Sequence, residues 1–215
     1  MPWTEILRIP NLLSLSRIAL APIIGYYLWR GDTTATHIAI ALLVVAGITD
    51  GLDGYLARRW NQVGRLGIAL DPIADKLMAA ILVICLVLFR DMPLWLAGVI
   101  VGRDLLIIIC GSLLLAGHRL TTPSNLTGKY AFGAIVLLLA SYVLRFDFGI
   151  QLITYVTLVL ITASMFTYGR IFVSLRQGRP APIFHDKSAY RIIRTGLTVI
   201  LSAIYLVRLY SDLIR

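Results

Sequence analysis

The sequence contains few charged residues. Only 14% of its 215 residues are Asp, Glu, Lys or Arg, while 59% are hydrophobic and the mean hydropathy is +0.84. A soluble domain usually has about 25% charged and about 45–50% apolar residues. The apolar residues are also gathered into runs of about 20, which is the length that a helix needs to cross a bilayer. The composition therefore argues against a soluble domain and predicts an integral membrane protein.

Cysteine and histidine are also scarce. Cys85 and Cys110 lie in apolar runs without CxxC spacing, so we expect two small buried side chains and no redox pair. His37, His118 and His185 are far apart, and no metal-ligand spacing links them. These residues therefore predict neither a disulfide framework nor a zinc site.

Basic residues lie between the apolar runs and do not alternate with aromatic residues. A net charge of +9 would suggest nucleic acid in a soluble protein, but basic patches with aromatic side chains that stack on bases are missing. Basic residues at the ends of membrane helices instead attract anionic lipid headgroups and phosphate-bearing substrates. We therefore expect the lipid bilayer among the partners, and no nucleic acid.

Six apolar stretches are separated by breaks rich in Gly, Pro, Asn and Asp. They lie near residues 11–29, 36–57, 68–89, 94–116, 128–145 and 149–172. Each must be helical, since lipid offers no partner to free backbone groups. The predicted fold is all-α: a polytopic membrane helix bundle with six transmembrane helices, an N-terminal interfacial segment and an extra C-terminal helix. Residues 1–175 are predicted to form the membrane domain, and residues 176–215 a basic linker and a membrane-associated helix.

The distribution of Lys and Arg predicts the orientation in the membrane. If the N-terminus is cytoplasmic, the other side carries only Arg30, Arg90 and Arg145, and many more cations face the cytoplasm. We expect the N-terminus and the segment of residues 49–76 on the cytoplasmic side of the membrane. The last apolar segment, residues 195–207, is short, so a tilted seventh span and an interfacial helix are both open.

Four aspartates lie close together in the sequence, two near the end of the second apolar stretch and two near the start of the third. Asp50 and Asp53 are three residues apart, and Asp71 and Asp75 are four apart, so each pair lies on one helix face. A turn near residues 60–66 reverses the chain between them. Two antiparallel helices would therefore present all four carboxylates to one another, near the cytoplasmic ends of both spans.

Four carboxylates this close repel each other at low dielectric unless cations lie among them. Arg58 could offset one, while one or two divalent ions would offset all four, and oxygen-only ligands favour Mg²⁺, Mn²⁺ or Ca²⁺. Structural ion pairs at a helix interface are the alternative. An EF-hand loop does not fit, because residues 49–76 contain no Glu. Intramembrane carboxylates also mark ion pathways, so a divalent-cation transporter is a second functional class, although no internal repeat is found.

The aspartates belong to a longer pattern of fixed spacing, D-x-x-D-G-x-x-A-R, eight residues, then G-x-x-x-D-x-x-x-D. This pattern resembles the signature of the CDP-alcohol phosphotransferases, a family of membrane enzymes. The matching residues are Asp50, Asp53, Gly54, Ala57, Arg58, Gly67, Asp71 and Asp75. The opening IPNLLSLSRI, with Asn11, Ser14 and Arg17, is similar to the family's N-terminus. The resemblance covers about residues 8–175.

The resemblance implies an enzyme that transfers a phosphatidyl group from CDP-diacylglycerol to an alcohol and releases CMP. It also implies six transmembrane helices and a homodimer. The four aspartates would hold two ions, Mg²⁺ or Mn²⁺, and Asp75 would also be the general base. The residues implied in CDP binding are Asn11, Arg17, Asp50, Gly54, Ala57, Arg58 and Gly67.

Three further cations bear on the acceptor alcohol. Arg103, Lys129 and Arg170 lie in successive apolar stretches and could form a phosphate pocket, although each could instead be ion-paired or snorkelling. Such a pocket would bind a phosphorylated acceptor. We therefore expect glycerol 3-phosphate, as in family members that make phosphatidylglycerophosphate. Phosphatidylglycerol is the alternative acceptor, because Arg103-Asp104 and Thr122-Pro123 resemble the members that make cardiolipin.

Overall fold

The computed structural model describes residues 9–59, 65–117, 126–177 and 188–214. Seven helices and no strand occur in these residues, which confirms the all-α prediction. The helices are α1 (Ile9–Arg30), α2 (Thr33–Arg59), α3 (Arg65–Phe89), α4 (Leu94–Gly117), α5 (Leu126–Leu144), α6 (Asp147–Arg176) and α7 (Ser188–Leu213). The six predicted stretches coincide with α1 to α6, and the tail forms α7. The predicted interfacial segment before α1 lies outside the described residues.

Three of these helices are long and apolar enough to cross a membrane within the described residues. They are Asn11–Arg30 in α1, Leu126–Leu144, which is α5, and Asp147–Arg176, which is α6. A shorter apolar segment, Thr33–Thr49, lies in α2. These helices support a membrane protein, whereas the count of six spans stays a prediction.

The chain forms two compact units, Met1–Ala97 and Gly98–Arg215. In the first unit, α1 packs against both α2 and α3. Gly31, with a φ of 71°, ends α1, and the Asp32 carboxylate accepts the Ala35 N–H at 2.7 Å to cap α2. Because only two residues join α1 and α2, the two helices run in opposite directions along their contact.

At Gly25, α1 lies close to α3. A Cβ added at Gly25 would lie 2.8 Å from the Cys85 Sγ, whereas a Cβ at Gly47 in α2 would meet nothing within 4 Å. Contacts of 2.8 Å between carbon and sulfur do not occur without displacement, so the missing side chain is what lets α1 approach α3. Small residues have this role in many membrane helix interfaces.

We predict that Gly25→Ala lowers the thermal stability of the purified protein, with a cost of about 1–3 kcal/mol for overpacking. Gly47→Ala is the matched control and should leave the melting temperature unchanged or slightly raised. Adding Cys85→Ala to Gly25→Ala removes the obstructing sulfur and should restore most of the loss. Equal melting temperatures for the two glycine variants would show that the interface is not tightly packed.

In the second unit, α5 and α6 form an antiparallel hairpin. The α5 helix ends in a Schellman motif, in which the Phe146 N–H donates to the Ser141 carbonyl at 2.9 Å and the Arg145 N–H to the Tyr142 carbonyl at 3.2 Å. Arg145 has a φ of 54°, the left-handed conformation that this motif requires. Phe146, the residue before α6, is buried.

Candidate active site

The first helix carries a line of buried polar residues in an otherwise apolar segment. Asn11, Ser14 and Arg17 follow each other at intervals of three and are all almost fully buried. Burying polar groups is costly unless they have partners, so such a line in a membrane helix is a candidate functional feature. The sequence predicts Asn11 and Arg17 as CDP-binding residues, and the structure places both inside the first unit.

Arg17 forms an ion pair with Asp75 across the α1–α3 interface. The distance from the Arg17 Nη1 to the Asp75 Oδ1 is 3.1 Å, and the two side chains are 2% and 44% exposed. The guanidinium is thus held inside the protein while the carboxylate stays accessible. This arrangement holds one carboxylate oxygen of Asp75 through a charge-assisted contact.

The other three aspartates lie on described helices. Asp50 and Asp53 lie near the C-terminal end of α2, and Asp71 lies one turn before Asp75 on α3. Asn11 is about 28 Å before the end of α1, and Asp53 is about 30 Å after the start of α2, at 1.5 Å per residue. Because α1 and α2 run antiparallel, Asn11 and Asp53 lie at about the same level along the hairpin.

Several side chains of the predicted site lie outside the described part of the structure. They are those of Asp50, Asp53, Gly54, Ala57, Arg58, Gly67 and Asp71. Among the side chains that are described, no group of three His, Cys, Asp or Glu residues is close enough to hold a metal ion. The metal-binding role of the four aspartates therefore stays a prediction.

Arg103 lies on α4 and reaches the start of α5. Its Nη1 donates to the Asp104 Oδ1 at 2.6 Å, and its Nη2 donates to the Gly128 carbonyl at 3.4 Å. An ion pair was one of the alternatives to a phosphate contact that the sequence left open for Arg103, and Asp104 is its partner. The side chain is only 8% exposed, and its Nε has no hydrogen-bond partner among the described residues. A buried donor of this kind is suited to an anion.

Gly128 connects Arg103 with the other two predicted cations. An added Cβ at Gly128 would lie 2.9 Å from the Tyr168 hydroxyl oxygen, so α5 and α6 touch closely at this residue. Lys129 follows Gly128 directly and is exposed, and Arg170 follows Tyr168 by two residues and is also exposed. The Arg170 guanidinium lies 5.9 Å from the centre of the Phe166 ring. The three cations therefore lie on three helices that meet near Gly128.

Two features of these sites were missed by sequence reasoning. Tyr168 packs against Gly128 beside the predicted acceptor cations, but an aromatic residue in an apolar stretch has no distinguishing local signal. The pairing of Arg17 with Asp75 was also missed, because the two residues lie on helices separated by α2. Arg17 carried one usable signal, an Arg inside an apolar run, which requires a partner.

Comparison with known proteins identifies the family. The family model for CDP-alcohol phosphatidyltransferases matches residues 7–169, which include every helix from α1 to α5 and most of α6. The chain belongs to the CDP-alcohol phosphatidyltransferase family. The resemblance drawn from the aspartate spacing is thereby confirmed, and α7 lies beyond the region that this family's model covers.

Relatives of this family member carry two kinds of name. A probable cardiolipin synthase (CMP-forming) of Drosophila melanogaster is 46% identical over 108 residues, 50% of this chain and 33% of the relative. A cardiolipin synthase (CMP-forming) of Streptomyces coelicolor is 35% identical over 144 residues, 62% of this chain and 66% of the relative. A CDP-diacylglycerol–glycerol-3-phosphate 3-phosphatidyltransferase of Bacillus subtilis is 35% identical over 150 residues, 64% of this chain and 77% of the relative.

The coverage differs between these relatives. This CDP-alcohol phosphatidyltransferase family member spans about a third of the length of the Drosophila protein and about three quarters of the Bacillus protein. The higher identity to the cardiolipin synthase thus extends over a shorter segment, and the lower identity to the glycerol-3-phosphate enzyme over a longer one.

Proposed function

We propose that this family member transfers a phosphatidyl group from CDP-diacylglycerol to an alcohol and releases CMP. The observation that carries the proposal is the complete aspartate signature on α2 and α3, inside the region that the family model matches. The relatives bear the names of phosphatidyl-transfer enzymes, which does not favour the alternative of a cation transporter.

The chemistry asks for a base beside the attacking hydroxyl and for positive charge around the pyrophosphate. The acceptor oxygen forms a bond with the phosphorus that bears the diacylglycerol, the bond from that phosphorus to the CMP oxygen breaks, and CMP leaves as a phosphate monoester. Asp75, the carboxylate that the family resemblance implies as the base, would receive the hydroxyl proton, and its side chain is accessible. Arg17 holds that carboxylate in place from the buried side.

The donor set fits divalent metal ions. Carboxylate oxygens are the ligands that Mg²⁺ and Mn²⁺ prefer, and Asp50, Asp53, Asp71 and Asp75 together would hold two ions. Such ions would neutralise charge on the pyrophosphate linkage of CDP-diacylglycerol and on the CMP that leaves. The chain's own contribution is to hold four carboxylates on α2 and α3, with Gly54 and Gly67 leaving space for the nucleotide and with Asn11, Ala57 and Arg58 beside it.

The acceptor is proposed to contain a glycerol phosphate unit. Buried Arg103 has a donor that no described residue occupies, and Lys129 and Arg170 lie on neighbouring helices near Gly128. Glycerol 3-phosphate is the first candidate, because a free phosphate monoester is the best match for several cations. Phosphatidylglycerol is the second candidate, and the 46% identity to a cardiolipin synthase favours it.

An acceptor screen tests the function. Purified protein in lipid nanodiscs receives labelled CDP-diacylglycerol, Mg²⁺ or Mn²⁺, and one of glycerol 3-phosphate, phosphatidylglycerol, inositol phosphate or serine. We expect CMP release with one glycerol phosphate acceptor and with no other alcohol. No CMP release with any acceptor and either metal would overturn the enzymatic proposal. A phosphatidylglycerol-dependent product would assign the second candidate.

We predict that Lys129→Ala raises the KM for a phosphorylated acceptor about tenfold with little change in kcat, since a contact made equally in the ground state and transition state affects binding alone. Arg103→Ala should do the same and lose some stability, because the buried side chain also bonds to Gly128. Arg176→Ala, an exposed cation in the last turn of α6, is the control. An unchanged KM in both Lys129→Ala and Arg103→Ala would place the acceptor elsewhere.

The membrane location and assembly are also proposals. The excess of Lys and Arg predicted for one side favours a cytoplasmic N-terminus and active site, in a bacterial inner membrane. A homodimer is proposed from the family resemblance, and cross-linking in native membranes tests it.

A further inference from the structure

One turn of the last helix, α7, contacts the connection between α5 and α6. Tyr205 is only 5% exposed, and its hydroxyl lies 3.0 Å from the Ser141 hydroxyl near the end of α5. Its ring also makes an edge-to-face contact with Phe146, with the centroids 5.3 Å apart. Three residues later, the Arg208 guanidinium lies 5.3 Å from the centre of the Phe148 ring. The turn from Tyr205 to Arg208 therefore sits at the connection between α5 and α6.

The position of this turn sets the distance that the chain must cover between Arg176, at the end of α6, and Tyr205. The α6 helix begins at Asp147, beside the α5–α6 connection, and contains 30 residues up to Arg176. That distance is about 45 Å at 1.5 Å per residue, more than the hydrocarbon thickness of a bilayer. Because Tyr205 returns to the beginning of α6, the chain between Arg176 and Tyr205 must cover the same distance back.

Most of that return is helical. From Ser188 to Tyr205 the α7 helix rises about 26 Å at 1.5 Å per residue, which is close to the hydrocarbon thickness of about 30 Å. Only helical backbone can make this passage through lipid, because extended backbone would leave its polar groups without partners. A helix that makes this return through lipid runs opposite to α6, and the length of α7 matches a crossing.

The exposed surface of α7 has the chemistry of a lipid-facing helix. No charged residue occurs from Thr195 to Val207, whereas Arg191 and Arg194 precede this segment and Arg208 and Asp212 follow it. The large apolar side chains that it leaves exposed are Leu197, Val199, Ile200, Ile204, Leu206 and Val207. They point to several sides of the helix, so acyl chains are the occupant that their apolar surface fits.

We propose that α7 crosses the bilayer as an additional transmembrane helix, covered by lipid acyl chains and anchored at the α5–α6 connection by Tyr205 and Arg208. Consequently, Gln177 after α6 and Ser211 near the end of α7 lie on opposite faces of the membrane. Arg194 and Arg208 flank the short uncharged segment in the sequence, and basic residues at the ends of a short span allow it to fit the bilayer. This inference rests on α6 as a span and does not depend on the proposed enzymatic activity.

Cysteine accessibility tests the crossing. Gln177→Cys and Ser211→Cys are placed one at a time in the full chain carrying Cys85→Ala and Cys110→Ala, and both positions are exposed in the structure. Sealed right-side-out and inverted vesicles are treated with a membrane-impermeant maleimide. We expect the two variants to label in opposite vesicle types. Labelling of both from the same face, or of Ser211→Cys from neither face, would overturn the proposal.

A second pair of variants tests the anchor. Tyr205→Phe removes the hydroxyl that contacts Ser141 and is expected to lower the melting temperature by about 2–4 °C. Tyr210→Phe, on an exposed ring of the same helix, should leave it unchanged. In a Ser141→Ala background, Tyr205→Phe should have little further effect, because the same contact is already lost. Equal melting temperatures for the two tyrosine variants would remove the anchor on which the proposal stands.

Discussion

Replacing Asp75 with Asn is expected to reduce turnover by about 10²–10⁴-fold, the range for loss of a general base. The amide keeps the size of the carboxylate but cannot accept the acceptor's proton at neutral pH. CDP-diacylglycerol should still bind, because Asp50, Asp53 and Asp71 remain. Single-turnover CMP release and equilibrium binding of CDP-diacylglycerol, measured on the same preparation, separate these two effects.

The control for this variant is Asp32→Asn in the same unit. Asp32 caps α2 by accepting the Ala35 N–H, and Asn caps a helix about as well, so activity and stability should both be retained. Turnover close to wild type in Asp75→Asn would exclude Asp75 as the base. Loss of CDP-diacylglycerol binding together with turnover would instead indicate that the carboxylate serves mainly in substrate or metal binding.

Arg17→Ala is expected to lower kcat/KM by about 100-fold, the effect of losing a charge-assisted contact of about 2–3 kcal/mol. The reason is that the buried guanidinium holds one oxygen of Asp75 at 3.1 Å, so its removal takes away this contact and positions the carboxylate less firmly. Arg17→Lys keeps the charge without the planar fork and should recover only part of the loss. Steady-state kinetics with varied acceptor and varied CDP-diacylglycerol provide the measurement.

Arg30→Ala on the same helix is the matched control. Arg30 also pairs with a carboxylate, that of Asp32 at 3.2 Å, but both side chains are about half exposed, so little is lost. If Arg17 acts through Asp75, the Arg17→Ala and Asp75→Asn effects on kcat should be non-additive in the double variant. Fully additive effects would show that Arg17 acts independently, as a CDP-binding residue would.

The helices could be predicted from the sequence, and the reason is physical. In a chain that enters lipid, each apolar stretch must satisfy its backbone within itself, so stretch boundaries and helix boundaries nearly coincide. The predicted stretch 94–116 became Leu94–Gly117, and even the longest helix, Asp147–Arg176, was located within four residues at each end. The number of transmembrane spans could not be predicted as firmly from the sequence, because whether a helix crosses the membrane depends on its position and tilt in the bilayer.

The aspartate spacing likewise identified the family without any structure. Eight positions at fixed intervals determine which residues share a helix face, because helical periodicity is a local property. The same reasoning could not show how those faces are supported. Nothing in the spacing indicates that Arg17 on α1 would reach Asp75 on α3. Nor does it indicate that the missing side chain of Gly25 would let α1 lie close to Cys85 on α3.

By itself, then, the sequence determined the helical membrane fold, the family and the set of carboxylates proposed for catalysis. Only the tertiary structure decided which side chains meet: Arg17 with Asp75, Arg103 with Gly128, and Tyr205 with Ser141. Secondary structure in lipid follows from each segment's own backbone and side chains. Contacts between distant helices depend on the relative placement of whole helices, which no local pattern records.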